Sequence, residues 1–207
     1  MSAVACLAPP DMVDVAFELS ARFLPPDFEW PLYRALVRLA PWLGSVHSAG
    51  VHPLRATPSS DGSYLLARRA KLVLRVPRDR VCAASILEGA VLDLGGGVRA
   101  ALGQGTLGTL EPAPTLYSPR VVTGDTEEAA FADAIRCELA ALGIARPIVC
   151  GRRSRVVLGR GATVAFGVAV NGLGDAASLL LQRAGLGLGR AVGCGVFVPH
   201  KTIVTAE

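Results

Sequence analysis

Aromatic side chains, histidines and paired cysteines are all scarce in this sequence, and each scarcity closes off a class of function. Phe, Trp and Tyr supply 5% of the 207 residues, so any core is built mainly from aliphatic side chains. The five cysteines, Cys6, Cys82, Cys137, Cys150 and Cys194, are odd in number and never spaced as CxxC. Only three histidines are present, and none clusters with the cysteines, so neither a zinc site nor any other metal or cofactor is expected. No apolar run reaches the ~20 residues needed to cross a bilayer. The segment Met-Ser-Ala-Val-Ala-Cys-Leu at the N-terminus lacks the basic region and apolar core of a signal peptide. A soluble protein of a reducing cytoplasm, without membrane contact, is the expectation. Half of the residues are apolar and 18% are charged, a balance that folds rather than staying disordered. The net charge of +4 weakly favours polyanionic partners.

The apolar pattern has an order that occurs twice. Residues 13–24 alternate as a strand, and 30–43 carry Leu32, Leu36 and Leu39 at helical spacing behind Pro31. Residues 44–63 read as a loop, part of which is a candidate strand, 64–77 as a strand with a basic centre and 78–89 as a helix. Residues 90–103 read as a strand broken by Gly95, Gly96 and Gly97, which completes the order β-α-β-β-α-β. A second series follows: strand 115–124, helix 125–144, hairpin 153–159 with 162–173, helix 174–185 and a last strand 193–201. Asp125 or Thr126 is the expected cap of the helix 125–144, and Gly143 its end. Two successive βαββαβ units imply an α+β fold of two tandem ferredoxin-like domains. The expected boundaries are 13–104 and 115–203, joined by a linker at 105–114 rich in Gly and Pro.

The densest glycine is GLGLGRAVGCG at 185–195, between the last helix and the last strand. Two readings are open. One is a tight connector. The other is a loop whose backbone N–H groups form a concave nest for phosphate oxygens, with Arg190 adding charge and Arg183 and Lys201 flanking. Neither a Walker loop nor a dinucleotide fingerprint fits, because both lie between a strand and a helix.

Gly185-Leu186-Gly187, five residues, then Gly193-Cys194-Gly195 resembles the G-h-G-x5-G-h-G motif (h apolar) of the RAMP superfamily of CRISPR proteins. The blocks GVHPL (50–54), LLARRAKLVLRVP (65–77), PTLYSPRVV (114–122) and VAFGVAVNGL (164–173) resemble the repeat-cleaving endoribonucleases, the sixth Cas family, in their MYXAN variety. The resemblance spans about residues 13–201 and implies a RAMP/RRM-like fold. It also implies metal-independent cleavage of CRISPR repeat RNA by the ribose 2′-OH, leaving a 2′,3′-cyclic phosphate. The implied partners are the repeat stem-loop, the mature crRNA and Cas5-like and Cas7-like subunits of a Cascade-type complex.

That chemistry needs a proton acceptor at the 2′-OH, a donor at the departing 5′-oxygen and positive charge around the phosphorane. A histidine suits proton transfer near neutrality. His52 is the first candidate, because the family holds its catalytic histidine in the loop after the first helix. His47 shares that loop as partner or alternative, and His200 lies beyond the last strand. Tyr33 is a candidate donor or a packing residue. Arg68, Arg69, Lys71 and Arg75 form one basic segment, with Arg69, Lys71 and Arg75 on one strand parity. Arg152, Arg153, Arg155 and Arg160 form a second, on the hairpin. Each reads as an RNA contact or as a solvated charged surface. Gly185, Gly187, Gly189, Arg190, Gly193 and Gly195 complete the RNA-binding candidates. A non-catalytic RAMP subunit that binds or caps crRNA, and an anion-binding ferredoxin-like regulatory domain, are the competing functions.

Overall fold

A computed structural model of the protein describes residues 9–54, 56–60, 62–159 and 161–201. Cys6, Arg160 and residues 202–203 of the expected second unit lie outside them.

The chain begins with β1 (Met12–Ser20) and β2 (Phe23–Leu24), then α1 (Glu29–Leu39) and a 3-10 turn at Pro41–Gly44. β3 (Gly50–Val51), β4 (Ala56–Pro58), β5 (Tyr64–Leu66) and β6 (Lys71–Pro77) follow. A four-residue α2 (Val81–Ala84), flanked by 3-10 turns, leads to β7 (Val91–Asp93) and β8 (Arg99–Gly108). The second half runs β9 (Thr115–Val121), α3 (Glu128–Ala141), β10 (Ile148–Leu158), β11 (Gly161–Asn171), α4 (Asp175–Ala184) and β12 (Val198–Pro199).

The sheet orders are β3-β6-β1-β8-β7 and β10-β11-β9-β12, with a small third sheet β2-β5-β4 inserted in the first half. Within each large sheet, the strands that serve as first to fourth of a βαββαβ unit lie in the order 2-3-1-4. That is the ferredoxin-like arrangement, present twice. Buried apolar side chains gather accordingly, one cluster from Val13 to Leu102 and another from Leu116 to Phe197. Among the described residues no helix is long and apolar enough to cross a membrane.

Several expected elements divide. The run 13–24 breaks after Ser20, and 64–77 breaks at the turn closed by Ala70 N–H to the Ala67 carbonyl (3.0 Å). In both cases an alternating pattern continues across two sheets, so periodicity alone does not reveal the break. The glycines at 95–97 reverse the chain, making β7 and β8 a hairpin rather than one interrupted strand. β8 then continues to Gly108 and pairs Asp14 with Gly108, so four residues expected in the linker belong to the first sheet. α1 stops at Leu39, before Pro41. The expected final strand shrinks to two residues, because the glycine segment consumes its beginning. α3 starts at Glu128 without a side-chain cap, and Asp125 bonds Thr123 instead. Its end is as expected: Gly143 takes φ +71° while Ile144 N–H returns to the Leu139 carbonyl (2.9 Å).

Candidate active site

The register of the first sheet places three positions side by side. Asp14 on β1 lies opposite Arg75 on β6, and Arg75 lies opposite Gly50 on β3. Lys71 and Arg75 do share a face of β6, as strand parity requires. Their fates differ because the second unit covers only one end of that face. Lys71 is exposed, whereas Arg75 is 1% exposed. The Arg75 guanidinium binds Asp14 through both ends (Nε to Oδ1 2.9 Å, Nη2 to Oδ2 3.0 Å). Its Nη1 donates to the Gln182 carbonyl (3.1 Å) and the Phe197 carbonyl (2.7 Å) of the second unit. Arg75 is therefore a buried anchor across the seam, and its expected role as a surface RNA contact is corrected.

His52 follows β3 on the same seam. Its backbone N–H donates to the Val73 carbonyl (2.8 Å), and Nε2 stands 3.2 Å from Asp14 Oδ1. The side chain keeps 15% of its exposure. Burial lowers its pKa first; Asp14 opposes that, and the charges of Arg75 and Arg190 add to it. The net shift is downward, so the imidazole is neutral at physiological pH. Burial alone would raise Asp14, but the bonds from His52 and Arg75 and the Arg75 charge outweigh it and pull Asp14 down to about 2.

His47 is exposed in the turn between α1 and β3. Tyr33, half-buried on α1, stacks on Trp30 with ring centroids 4.9 Å apart. Its hydroxyl borders the start of the histidine loop, 3.4 Å from where a Cβ on Gly44 would stand. α1 thus presents Tyr33 beside the loop that carries both histidines. His200 lies elsewhere, tilted against Tyr117 at the β12 edge with Nδ1 donating to the Lys201 carbonyl (2.8 Å).

The glycine segment packs directly on this loop. A Cβ on Gly50 would come within 3.5 Å of the Arg190 carbonyl in the segment and 2.7 Å of Val196 Cγ2 just beyond it. The segment itself is closed rather than open. Gly187 N–H donates to Glu138 Oε2 (2.7 Å), Leu188 N–H to the Val122 carbonyl (2.8 Å) and Gly195 N–H to the Arg120 carbonyl (2.7 Å). Leu186 N–H reaches the Gly195 carbonyl (3.2 Å) and Cys194 N–H the Gly189 carbonyl (3.1 Å). At φ +69° and +64°, side chains on Gly187 and Gly195 would overlap the carbonyls of Val122 and Leu186. Backbone lies where a Cβ would need to be. The nest expected of Gly185, Gly187 and Gly195 is therefore corrected: their N–H groups and empty faces are used inside the chain.

Arg190 needs the same correction. It is 8% exposed, and Nη1 donates to the Arg183 carbonyl (3.0 Å) and the Ala184 carbonyl at the end of α4. Burial, then the Arg75 charge, lower its pKa to about 10. Gly189 and Gly193 flank it, both left-handed, and Gly193 alone of the two has room, with the Val51 carbonyl 3.7 Å from a built Cβ.

The remaining cations are on the surface. Arg68 and Arg69 stand exposed in the turn between β5 and β6. Arg152 and Arg153 are exposed on β10, an edge strand whose pairing shifts between Cys150 and Arg153. Arg155 pairs with Asp27 (3.5 Å), which ties the hairpin to the start of α1. The Glu29–Arg120 ion pair is a second tie between the halves. Sequence reading missed Asp14, whose signal was a lone carboxylate inside the apolar run Met12–Phe17. It also missed Arg34 and Arg38, exposed one turn apart on α1. Among the described residues, no three His, Cys, Asp or Glu side chains gather closely enough to hold a metal ion.

Comparison with known proteins bears on the whole of this architecture. The family model Cas6, described as Cas6 Crispr, matches residues 13–202. A CRISPR-associated endonuclease Cas6 of Myxococcus xanthus is 35% identical over 189 residues, 90% of this chain and 81% of that protein. Among solved structures, a Cas6-related protein of Pyrococcus furiosus superposes with a TM-score of 0.65 at 14% identity, over 90% of this chain and 98% of its own. A RAMP protein described as binding different RNA substrates gives 0.64 at 12% identity, over 89% and 98%. At those identities the two structures speak for the fold, and the sequence matches speak for the family. The chain belongs to the Cas6 family of CRISPR-associated proteins.

Proposed function

We propose that this chain is a cytoplasmic, metal-independent endoribonuclease that cuts CRISPR repeat RNA to mature crRNA. The observation that carries the reading is the stretch from the end of α1 through β3 to His52. It holds one histidine kept neutral at the seam and another exposed five residues earlier. Family membership and the relative named as an endonuclease support it.

In the reaction proposed, the neutral imidazole of His52 takes the proton of the ribose 2′-OH. The 2′-oxygen attacks phosphorus, the P–O5′ bond breaks, and His47 gives a proton to the departing 5′-oxygen. The products are a 2′,3′-cyclic phosphate and a 5′-hydroxyl. No metal enters the balance. Tyr33 assists as a hydrogen-bond donor at the loop. The RNA backbone is held by the exposed cations Arg68, Arg69, Lys71, Arg152, Arg153 and Arg155, joined by Arg34 and Arg38 on α1. Stem-loops are recognised largely by shape and phosphates, which suits dispersed surface charge. Gly193 contributes by letting the glycine segment lie close to Val51 beside His52, and Gly189 by letting it lie close on Leu158 of β10. A place beside Cas5-like and Cas7-like subunits of a Cascade-type complex is the partner set that follows.

The test is incubation of the cognate repeat RNA with the protein in EDTA. Cleavage with a 2′,3′-cyclic phosphate is expected, abolished by a 2′-deoxy nucleotide before the cut while binding persists. A requirement for Mg²⁺, or a 3′-hydroxyl product, overturns the mechanism.

A further inference from the structure

We infer that Asp14 is a positioning residue for cleavage: it fixes the ring orientation and tautomer of His52, and Arg75 locks it in place against the second unit. The inference rests on the proposed role of His52 as proton acceptor.

The geometry assigns the proton. Asp14 is an ionised carboxylate, hydrogen-bonded at both oxygens, and an ionised carboxylate only accepts. The His52 Nε2 that stands 3.2 Å from Oδ1 must therefore carry the hydrogen. In a neutral imidazole the other nitrogen, Nδ1, then holds the lone pair. No further hydrogen bond of this ring occurs among the described residues. The ring nitrogen that takes a proton from RNA is accordingly Nδ1. A swap of tautomer would leave a hydrogen there and no base.

Fixing a tautomer requires a carboxylate that cannot swing. Arg75 supplies that restraint. It is 1% exposed, grips both Asp14 oxygens, and spends Nη1 on the Gln182 and Phe197 carbonyls. Those carbonyls belong to α4 and to the segment leading into β12, so the second unit holds the first unit's carboxylate still. The His52 backbone is pinned separately, through its N–H to the Val73 carbonyl. Backbone and ring edge are thus both defined before RNA arrives, which is what proton transfer rewards. The charged groups that face the ring are Asp14 from β1, Arg75 from β6 and Arg190 from the glycine segment.

Asp14→Asn separates these functions. Asp14 Oδ1 accepts from both His52 Nε2 and Arg75 Nε, and Oδ2 from Arg75 Nη2. An amide has one oxygen for these three donors. Whichever way it turns, its NH₂ opposes one arm of the Arg75 fork, so the grip that fixes the group facing His52 is broken. Loss of the negative charge also removes what holds the imidazolium up, so its pKa falls further.

The experiment combines ¹⁵N NMR of the histidines in the full chain with cleavage measured against pH at saturating protein. In the wild type near neutrality, His52 is expected to show a protonated Nε2 and a bare Nδ1. In Asp14→Asn the cleavage rate should fall by at least about tenfold, with repeat affinity unchanged and the acid limb moved to lower pH. A wild-type His52 protonated on Nδ1 overturns the inference, and that reading needs no variant to fold. A folded Asp14→Asn with unchanged rate and acid limb overturns it too. Failure of the underlying reading looks different: His52→Ala would then cleave at the wild-type rate.

Discussion

The histidine loop and the glycine segment meet across the seam, yet they use unusual composition in opposite ways. The loop from Gly44 to His52 has ordinary residues and leaves one imidazole exposed and another oriented. The segment from Gly185 to Gly195 has the most distinctive sequence in the chain, and its backbone donors bond Glu138, Val122, Arg120 and itself. Glycine density there reflects carbonyls packed where side chains would stand. A conspicuous motif can thus mark a packed, closed segment, while the proposed chemistry is assigned to a plainer stretch beside it.

The sharpest way to break that contrast is Gly195→Val. Its side chain would overlap the Leu186 carbonyl at a left-handed φ, and relief would require opening the whole segment. No cooperatively folded protein is expected, as judged by circular dichroism and thermal melting. A melt close to wild type would show the segment to be a loose connector after all. Gly193→Ala sharpens the same point, because only the left-handed backbone resists it. A loss of about 1–2 kcal/mol is expected by chemical denaturation.

Next in size is the contrast between a buried and an exposed arginine of the same basic stretch. Arg75→Gln leaves Asp14 without its main partner and two carbonyls without a donor, and should cost about 3–5 kcal/mol of stability. Arg69→Gln, in an exposed turn, should leave denaturant stability unchanged. Equal effects would mean that the seam carries little of the fold. Surface charge is expected to act on binding instead. Replacing Arg69 and Arg153 together should lower the slope of log affinity against log salt by about 0.7 per lost contact. Cleavage at saturating protein should persist. A salt slope equal to wild type would remove both from the RNA surface.

The smallest effect is on acid stability. His52 has a lowered pKa in the fold, so it contributes stability above the ordinary histidine range that is lost as pH falls through that range toward its folded value. Asp14 contributes likewise above the ordinary 3.8, and that contribution is lost as pH falls to about 2. Melting temperature should therefore decline in two stages on acidification. His52→Gln should erase the first, upper stage and leave the second.

Much of this was legible in the residues. Repeated apolar periodicity gave the two βαββαβ units, and Gly143 gave the end of α3 because only a left-handed residue closes that turn. The histidine loop was legible through family resemblance. Breaks at Ser20 and Ala67 were not, since alternation does not record which sheet a strand joins. Nor was the burial of Arg75 and Arg190. Parity put Lys71 and Arg75 on one face of β6, and only the docking of the second unit buried the Arg75 end of that face. Asp14 went unnoticed because a carboxylate in a half-buried strand has meaning only with its partners, and those lie 38 and 61 residues away.

The division of labour between loop and segment is tested most directly by single-turnover cleavage of the repeat RNA with His52→Ala at saturating protein. The expected result is a rate lowered by about 10²–10⁴-fold, with repeat affinity within a few-fold of wild type. Cleavage by His52→Ala at the wild-type rate would contradict it, and a loss confined to His47→Ala would move the proton acceptor to the exposed histidine.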